Sequence, residues 1–393
     1  MGSKVSRRSF LRTSAVGASA VALASAGSAR GFAANEKVQL GWIGYGGRAT
    51  GLMQKILKSC PDARIAAICD LKPNRIEAGQ KDAERDKPRG YTDLREMMDK
   101  EKLDGILVVT EPNKHAETVI PVLERNIHCF AEKPMDITVE ACDAITVAAR
   151  KSKGIYQIGT QRRYHPTYIK AMKAIHDGLM GRVTFMQGGW HWSSDPSGAP
   201  VARDGGRLIE QASHHMDVMS WVMKNQHPTT CVAMAFQDQS LVPGSQLNNP
   251  NEFSETKSAT IFKFPDGVLF SYTHLWVLPG KYDEEILLAF GQKGGMDFNE
   301  GLYTGRDEKE QRFGPRIGKG WDEGSTEELI DFVDNIKTGG KRVPNANVET
   351  GRICSLMCIM GRMAMVNKAK NAYEPSVVKW EDLKSTTDLP AKA

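Results

Sequence analysis

Two short segments gather side chains that can move a proton. Glu132-Lys133-Pro134 stands at the end of an apolar run, Cys129 to Ala131, and Glu210-Gln211-Ala212-Ser213-His214-His215-Met216-Asp217 opens a second run that ends near Val222. On a helix, Glu210, His214 and Asp217 would share one face, at spacings of four and three residues. A carboxylate beside an imidazole fixes its tautomer and raises its basicity, as a proton-abstracting histidine requires. An ammonium group such as that of Lys133 polarises a hydroxyl and stabilises the negative charge left when its proton departs. His214 and His215 together raise the question of a metal, but a third ligand at a recognisable spacing is missing, so no metal is expected.

A third motif supplies the other half of such chemistry. The run Val38 to Ile43 leads straight into Gly44-Tyr45-Gly46-Gly47-Arg48-Ala49, and Asp70 closes the next apolar run, Ile65 to Cys69. Gly44 permits a tight turn out of a strand, Gly46 lets backbone approach a pyrophosphate, and the small Ala49 lets the following helix lie close. The phosphates then meet free N–H groups and the positive end of the helix dipole. A carboxylate at Asp70 accepts hydrogen bonds from the ribose hydroxyls of NAD and repels the 2′-phosphate of NADP. NAD is therefore expected ahead of NADP. Lys72 and Arg75 either soften that preference or are solvated positions at a helix start.

These motifs need a scaffold that brings them to one crevice. Val38 to Ile43, Ile65 to Cys69, Ile106 to Val109, Cys129 to Ala131 and Tyr156 to Ile158 read as buried parallel strands. Between them lie helical patterns: Thr118, Val119, Val122 and Leu123 make one apolar face, and Ala141, Ala144, Ile145, Val147 and Ala148 another. The alternation predicts an α/β, doubly wound Rossmann sheet over residues 36–158. In such a sheet the strands' carboxyl ends form the ligand crevice, which places Lys133 there. From residue 159 to 393 the character changes to longer strands: Val183 to Gln187, Val232 to Gln237, Ala259 to Phe264, Val268 to Thr273 and Ile286 to Phe290. Pro265-Asp266-Gly267 reads as a hairpin turn. An α+β domain with a large, mostly antiparallel open sheet follows, and its uncovered face predicts a homodimer or homotetramer. Leu241 to Glu255, rich in Pro, Asn, Ser and Gly, reads as an exposed loop.

Residues 1–33 stand apart from this plan. Ser6-Arg7-Arg8-Ser9-Phe10-Leu11-Arg12 precedes a mildly apolar, alanine-rich stretch from Ala15 to Ala26, with small-residue cleavage options between Ala26 and Ala34. That order of features reads as a twin-arginine export signal, so the translocation machinery is an expected partner and the periplasm the expected location. The apolar stretch is too short for a permanent membrane anchor. The formal net charge of +5 is supplied by Lys4, Arg7, Arg8, Arg12 and Arg30 of this segment, against no acid, and the remainder is neutral. A neutral chain with interspersed signs lacks the electrostatic footprint of a nucleic-acid binder. Seven scattered cysteines form no Cys-x-x-Cys pair and read as buried thiols.

In their order and separation these segments resemble the glucose-fructose oxidoreductase, inositol dehydrogenase and rhizopine catabolism (Gfo/Idh/MocA) family. The resemblance rests on Gly44-Tyr45-Gly46-Gly47, Asp70, Val108 through His115, Glu132-Lys133-Pro134 and Glu210 through Asp217, and runs from about Val38 to about Ala369. It implies that Lys133 hydrogen-bonds the reacting hydroxyl, that His214 takes its proton, and that Glu210 stands where many members carry an aspartate. It further implies that Tyr45, Arg48, Thr110, Pro112, Asn113, His115 and Glu132 flank the cofactor beside the glycine turn, Asp70 and Arg75. The Lys133-Pro134 bond is often cis in the family. Gln161-Arg162-Arg163-Tyr164-His165-Pro166 resembles the segment that opens the second domain and contacts substrate hydroxyls, with Arg162 the leading candidate and Tyr164 and His165 beside it. Trp190 and His191, at the end of an expected strand, and Asp217 complete the substrate-binding set. For each of these polar positions an interdomain salt bridge or a satisfied surface group is the alternative.

The expected reaction is reversible oxidation of a secondary hydroxyl on a sugar or cyclic polyol. Export of an already folded protein implies a cofactor loaded before export, held tightly and recycled in place. Two alternatives share the fold: an exported glycosidase assisted by NAD, and a non-catalytic sugar-binding protein. Related glycosidases in the family often lack the lysine of Glu-Lys-Pro, so Lys133 favours the dehydrogenase. Neither Lys133 nor His214 is needed merely to hold a nucleotide.

Overall fold

The computed structural model describes residues 36–193, 203, 205–236, 257–276, 278–317, 324–367 and 372–385. The export signal and the loop expected at Leu241 to Glu255 lie outside the described residues. Six strands form the first sheet: β1 (Val38–Ile43), β2 (Ala63–Cys69), β3 (Arg89–Tyr91), β4 (Gly105–Val108), β5 (His128–Glu132) and β6 (Tyr156–Gly159). They lie in the order β3-β2-β1-β4-β5-β6, all parallel, the doubly wound arrangement. Its helices are α1 (Gly47–Ser59), α2 (Pro73–Asp82), α3 (Leu94–Lys100), α4 (His115–Glu124) and α5 (Val139–Lys151).

Helix α1 shows why the local sequence folds as it does. Ala49, Leu52, Met53 and Ile56 recur at helical spacing and are buried against the sheet. In α4 the four expected face residues, Thr118, Val119, Val122 and Leu123, are buried. In α5 the buried set is instead Val139, Cys142, Asp143, Ile145 and Thr146. The stripe is rotated because α5 is covered on a second side: Arg352 Nε donates to Asp143 Oδ1 at 2.7 Å and Arg150 Nε to Glu349 Oε1 at 2.8 Å.

After α6 (Pro166–His176) comes the second sheet, with β7 (Val183–Trp192), helices α7 (Arg207–Gln211) and α8 (Ser213–Val222), then β8 (Thr230–Phe236), β9 (Lys257–Lys263), β10 (Leu269–Trp276), β11 (Glu284–Gly291), β12 (Gly294–Asp297), β13 (Leu302–Gly305) and β14 (Glu310–Arg312). Helices α9 (Ser325–Lys337) and α10 (Val348–Met365), a small ribbon of β15 (Val366–Asn367) and β16 (Ala372–Tyr373), and β17 (Val377–Lys379) complete it. The nine-stranded order is β14-β13-β12-β11-β7-β10-β9-β8-β17, antiparallel except where β7 meets β10. Pro265–Gly267 turns β9 into β10, with Asp266 at a φ of 60°.

Each strand of this sheet alternates between two unlike faces. Cys231, Ala233, Phe262, Phe270, Tyr272, Trp276, Leu287 and Ala289 are buried beneath α8 and α10. On the other face Val232, Met234, Phe236, Ile261 and Val377 remain 41 to 64% exposed. The division expected between residues 158 and 159 is crossed by the chain's return. Leu329, Phe332, Val333 and Ile336 of α9 share one core with Leu40, Trp42, Leu52 and Ile56, so this late helix completes the first domain's packing.

Candidate active site

At the carboxyl end of β1 the chain turns at Gly44, whose φ is +84° and where a Cβ would stand 2.7 Å from the Val109 carbonyl oxygen. Only glycine fits this close approach. Cβ atoms added at Gly46 and Gly47 would meet nothing within 4 Å, so the backbone that starts α1 is bare. Neither a capping side chain nor an acidic first-turn residue occupies that helix end. A dinucleotide pyrophosphate fits such a bare, positively polarised terminus. Asp70, buried at the end of β2, accepts from the Tyr45 N–H and the Lys72 N–H, both at 2.8 Å. Arg75 Nη1 lies 3.8 Å from the same carboxylate, which retains lone pairs for a ribose.

Several expected cofactor contacts prove to be supports for this turn and for Lys133. The Tyr45 side chain points away: its hydroxyl donates to Asp82 Oδ2 at 2.6 Å and its ring packs on Gly79, and burial raises the phenol. Tyr45 therefore serves through its backbone. Arg48 Nε donates to Glu132 Oε1 at 2.6 Å and its Nη2 to Ser325 Oγ at 3.1 Å. The other Glu132 oxygen accepts the Lys133 N–H at 3.1 Å, so Arg48 and Glu132 brace the lysine's backbone. His115 is buried, with Nδ1 2.7 Å from the Pro134 carbonyl and Nε2 3.3 Å from that of Thr110. Burial keeps this imidazole neutral, and it donates to the nearer carbonyl, tying the Thr110 loop to the Lys133-Pro134 turn. The Lys133-Pro134 bond is cis. Thr110, Pro112 and Asn113 are half-buried on the loop after β4, near the mouth of the same crevice.

The helix expected over Glu210 to Asp217 is broken at Ala212 into α7 and α8. The break frees the Glu210 carbonyl from helical bonding, and Lys133 Nζ donates to it at 2.8 Å and to Glu210 Oε1 at 3.1 Å. Glu210 thus orients Lys133 across the domain boundary instead of lying on a shared face with Asp217. Asp217 is fully turned away. Its carboxylate takes Arg163 Nε at 2.7 and 2.9 Å, with both side chains buried, and Arg163 also donates to Asn225 Oδ1 at 3.0 Å. This is a strut between α8 and the turn at residues 161–164, not a substrate contact.

His214 faces the crevice with its ring stacked on Trp190, centroids 6.0 Å apart and planes 19° apart. Burial, then the charges of Lys133, Arg162, His215 and Arg48, hold its basicity well below that of an ordinary imidazole. Among the described residues no side chain or backbone group hydrogen-bonds the ring, which is neutral and able to accept a proton. Trp190 is the wall against which His214 stacks.

The other expected substrate contacts are each bonded to a protein partner. The Arg162 guanidinium is committed to Glu285, both buried. The Tyr164 hydroxyl accepts the Ala346 N–H at 3.2 Å in the core. His165 caps α6, its Nδ1 accepting from Thr167 N–H at 3.3 Å. His191 pairs with Thr273 Oγ1 at 2.8 Å on the opposite face of β7, because consecutive strand residues point to opposite sides. Sequence reasoning missed Glu285 and weighed His215 only as a metal ligand; the two lie together with Nε2 3.6 Å from Oε1. Glu285 stands one residue before the expected strand, where an acid reads as surface. The inward alternation Glu285, Leu287, Ala289 is the signal that could have found it.

A wound sheet with a bare glycine turn, beside a helix that presents His214 near Lys133, defines a dinucleotide-dependent oxidoreductase. Family models agree: residues 38–160 match the oxidoreductase family with an NAD-binding Rossmann fold, and residues 168–297 match the GFO/IDH/MocA C-terminal domain. The chain belongs to the Gfo/Idh/MocA family of NAD-dependent oxidoreductases. It is 24% identical over 341 residues to myo-inositol 2-dehydrogenase of Thermotoga maritima, covering 84% of this chain and 97% of that one. The match to inositol 2-dehydrogenase of Salmonella typhimurium, also 24% identical, covers 50% of this chain and 57% of that one. The fold is shared with scyllo-inositol dehydrogenase of Lactobacillus casei, solved with bound NAD(H) and scyllo-inositol, at a TM-score of 0.71 and 16% identity over 88% of this chain and 99% of that one.

Proposed function

We propose that this protein oxidises a secondary hydroxyl of a sugar or cyclic polyol, reversibly and with NAD. The observation that carries the reading is the convergence of Lys133, oriented by two bonds to Glu210, with a neutral His214 at the carboxyl edge of the parallel sheet. Lys133 donates a hydrogen bond to the substrate oxygen and stabilises its developing charge. His214 accepts the hydroxyl proton, and Trp190 keeps its ring in plane for that transfer. Bound NAD supplies the hydride acceptor. The Thermotoga, Salmonella and Lactobacillus relatives are inositol dehydrogenases, which supports a polyol substrate. The test is NADH formation with a panel of inositols and free sugars, with product analysis. A keto product supports the reading, whereas released aglycone or unchanged ligand replaces it with the glycosidase or the binding protein.

We infer further that residues 1–33 direct the folded chain through the twin-arginine pathway to the periplasm, with NAD loaded beforehand and recycled in place by a paired oxidation and reduction. The twin arginines, the apolar stretch after them and the small residues before Ala34 support this. No helix among the described residues is long and apolar enough to cross a membrane. Denaturing the exported form, purified without added nucleotide, tests retention: stoichiometric released NAD is expected, and an empty protein that exchanges NAD freely overturns it. The exposed apolar face of the nine-stranded sheet is proposed to pack on a second copy of the chain, since the neutral part after residue 33 offers no charge repulsion between identical faces.

A further inference from the structure

Strand β5 ends at Glu132, so the chain that carries Lys133 leaves the sheet without a ladder to hold it. Three side chains take the ladder's place. Glu132 Oε2 accepts the Lys133 N–H at 3.1 Å, the Ser355 hydroxyl of α10 accepts the Met135 N–H at 2.8 Å, and His115 of α4 bonds the Pro134 carbonyl at 2.7 Å. Pro134 has no N–H and is buried, so its carbonyl depends on that imidazole for a donor. His115 also meets the nucleotide side of the crevice. Its Nε2 lies 3.3 Å from the Thr110 carbonyl oxygen, and the Thr110 methyl lies 2.9 Å from where a Cβ on Gly44 would stand. The ring is 1% exposed and therefore cannot touch a substrate itself. It stands between the glycine turn and the lysine.

We propose that His115 is a positioning residue, which acts through the Pro134 carbonyl to hold Lys133 where its ammonium meets both Glu210 and the substrate oxygen. The inference rests on the proposed proton chemistry of Lys133 and adds to it the side chain that sets the lysine's place. A buried carbonyl that loses its donor turns toward another, and here that rotation drags the backbone of the preceding residue, Lys133. Lys133 Nζ reaches its two Glu210 acceptors, at 2.8 and 3.1 Å, across the domain boundary, so a shift at its backbone end misaligns it against a fixed partner. The surrounding fold does not depend on the imidazole alone, because Asp136 Oδ2 also joins the start of α4 to this segment by accepting the Ala116 N–H at 3.1 Å. Nδ1 is the atom that bears on Pro134. Asparagine puts its amide nitrogen at the Nδ1 position and can donate there, whereas glutamine puts it at the Nε2 position, facing Thr110.

The test is a set of full-length variants assayed with NAD and myo-inositol, or with the inositol or sugar that turns over fastest. In His115→Leu and His115→Gln, kcat is expected to fall about tenfold to a hundredfold while the NAD dissociation constant stays within about threefold of wild type. His115→Asn should recover kcat to within about threefold of wild type. A double-mutant cycle with Lys133→Met separates positioning from a merely structural role: if His115 acts through Lys133, adding His115→Gln to Lys133→Met lowers kcat no further. Equal kcat in the Asn and Gln variants overturns the proposal, as do additive losses in the cycle or a loss explained by weaker NAD binding. Should His115→Leu fail to fold, the Asn and Gln pair decides. If Lys133→Met keeps the wild-type kcat, or no polyol is turned over, the proton-chemistry reading fails, and the rate at which acetic anhydride modifies Lys133, followed by peptide mass spectrometry, decides the positioning. That rate should rise about threefold or more in His115→Gln and stay at the wild-type value in His115→Asn. Equal rates in the two variants overturn the proposal.

Discussion

Replacing Asp217 by alanine separates a structural strut from a substrate contact. The substitution strands the Arg163 guanidinium, whose side chain is 2% exposed, without its bidentate carboxylate. Breaking a buried pair by removing one partner costs about 3 to 5 kcal/mol. Arg163 keeps its bonds to Asn225 Oδ1 at 3.0 Å and to the residue-217 carbonyl at 3.3 Å, so the lower end, about 3 kcal/mol, is expected. A loss of that size is a large fraction of the roughly 5 to 15 kcal/mol that holds a folded chain together, and the variant should fold with a clearly lowered urea midpoint. The paired replacement Arg163→Met with Asp217→Leu should recover most of the loss, because it leaves no buried charge alone. Urea denaturation followed by tryptophan fluorescence reads the stability, and steady-state kinetics below the transition read KM. An unchanged midpoint together with a raised KM for the polyol would refute this reasoning and return Asp217 to the substrate.

Three other expectations follow from the structure. His214 and His215 are held well below the ordinary imidazole value and His274 is pushed down to about 3, each chiefly by burial. The folded state therefore binds fewer protons than the unfolded one, so this stability is complete above the unfolded value of 6.5 and is lost as pH falls below it, at about 1 kcal/mol per pH unit for each group. A urea midpoint unchanged between about pH 7 and about pH 5 would contradict this. Gly44→Ala forces a Cβ to 2.7 Å from the Val109 carbonyl at a φ of +84°, and NAD affinity should fall at least about tenfold by calorimetric titration; native affinity would show that the turn does not shape the site. Met234→Asp, at a position 63% exposed on the open sheet face, should convert an oligomer to monomers in light scattering without lowering the melting temperature; a monomeric wild type would remove that surface as an interface.

The parallel sheet was legible because its strands are continuous apolar runs bounded by glycine and polar residues, as Val38–Ile43 and His128–Glu132 are. Strand β3 escaped notice because three residues, two of them exposed, carry no period. The return of α9 to the first domain was also hidden: its apolar stripe is plain, but amphipathicity does not say which surface it covers. At the proposed site, Lys133, Glu210 and His214 stand out in the sequence because their types are rare in such positions. Their partners were misread where geometry overrides spacing. The break at Ala212 sends Asp217 to Arg163, and the strand alternation at Trp190 sends His191 to the far face. Arg162 and Arg163 look alike in sequence, and only packing shows that each meets a different buried carboxylate.

In the proposed mechanism Lys133 and His214 do the proton chemistry at a crevice whose nucleotide grip is separate, in the Gly44 to Ala49 turn. Measuring kcat and NAD affinity together for Lys133→Met and His214→Asn tests it most directly. Each kcat is expected to fall by about a hundredfold or more while the NAD dissociation constant stays within about threefold of wild type. A kcat near wild type in both variants, or a loss of activity explained by lost NAD binding, would contradict it.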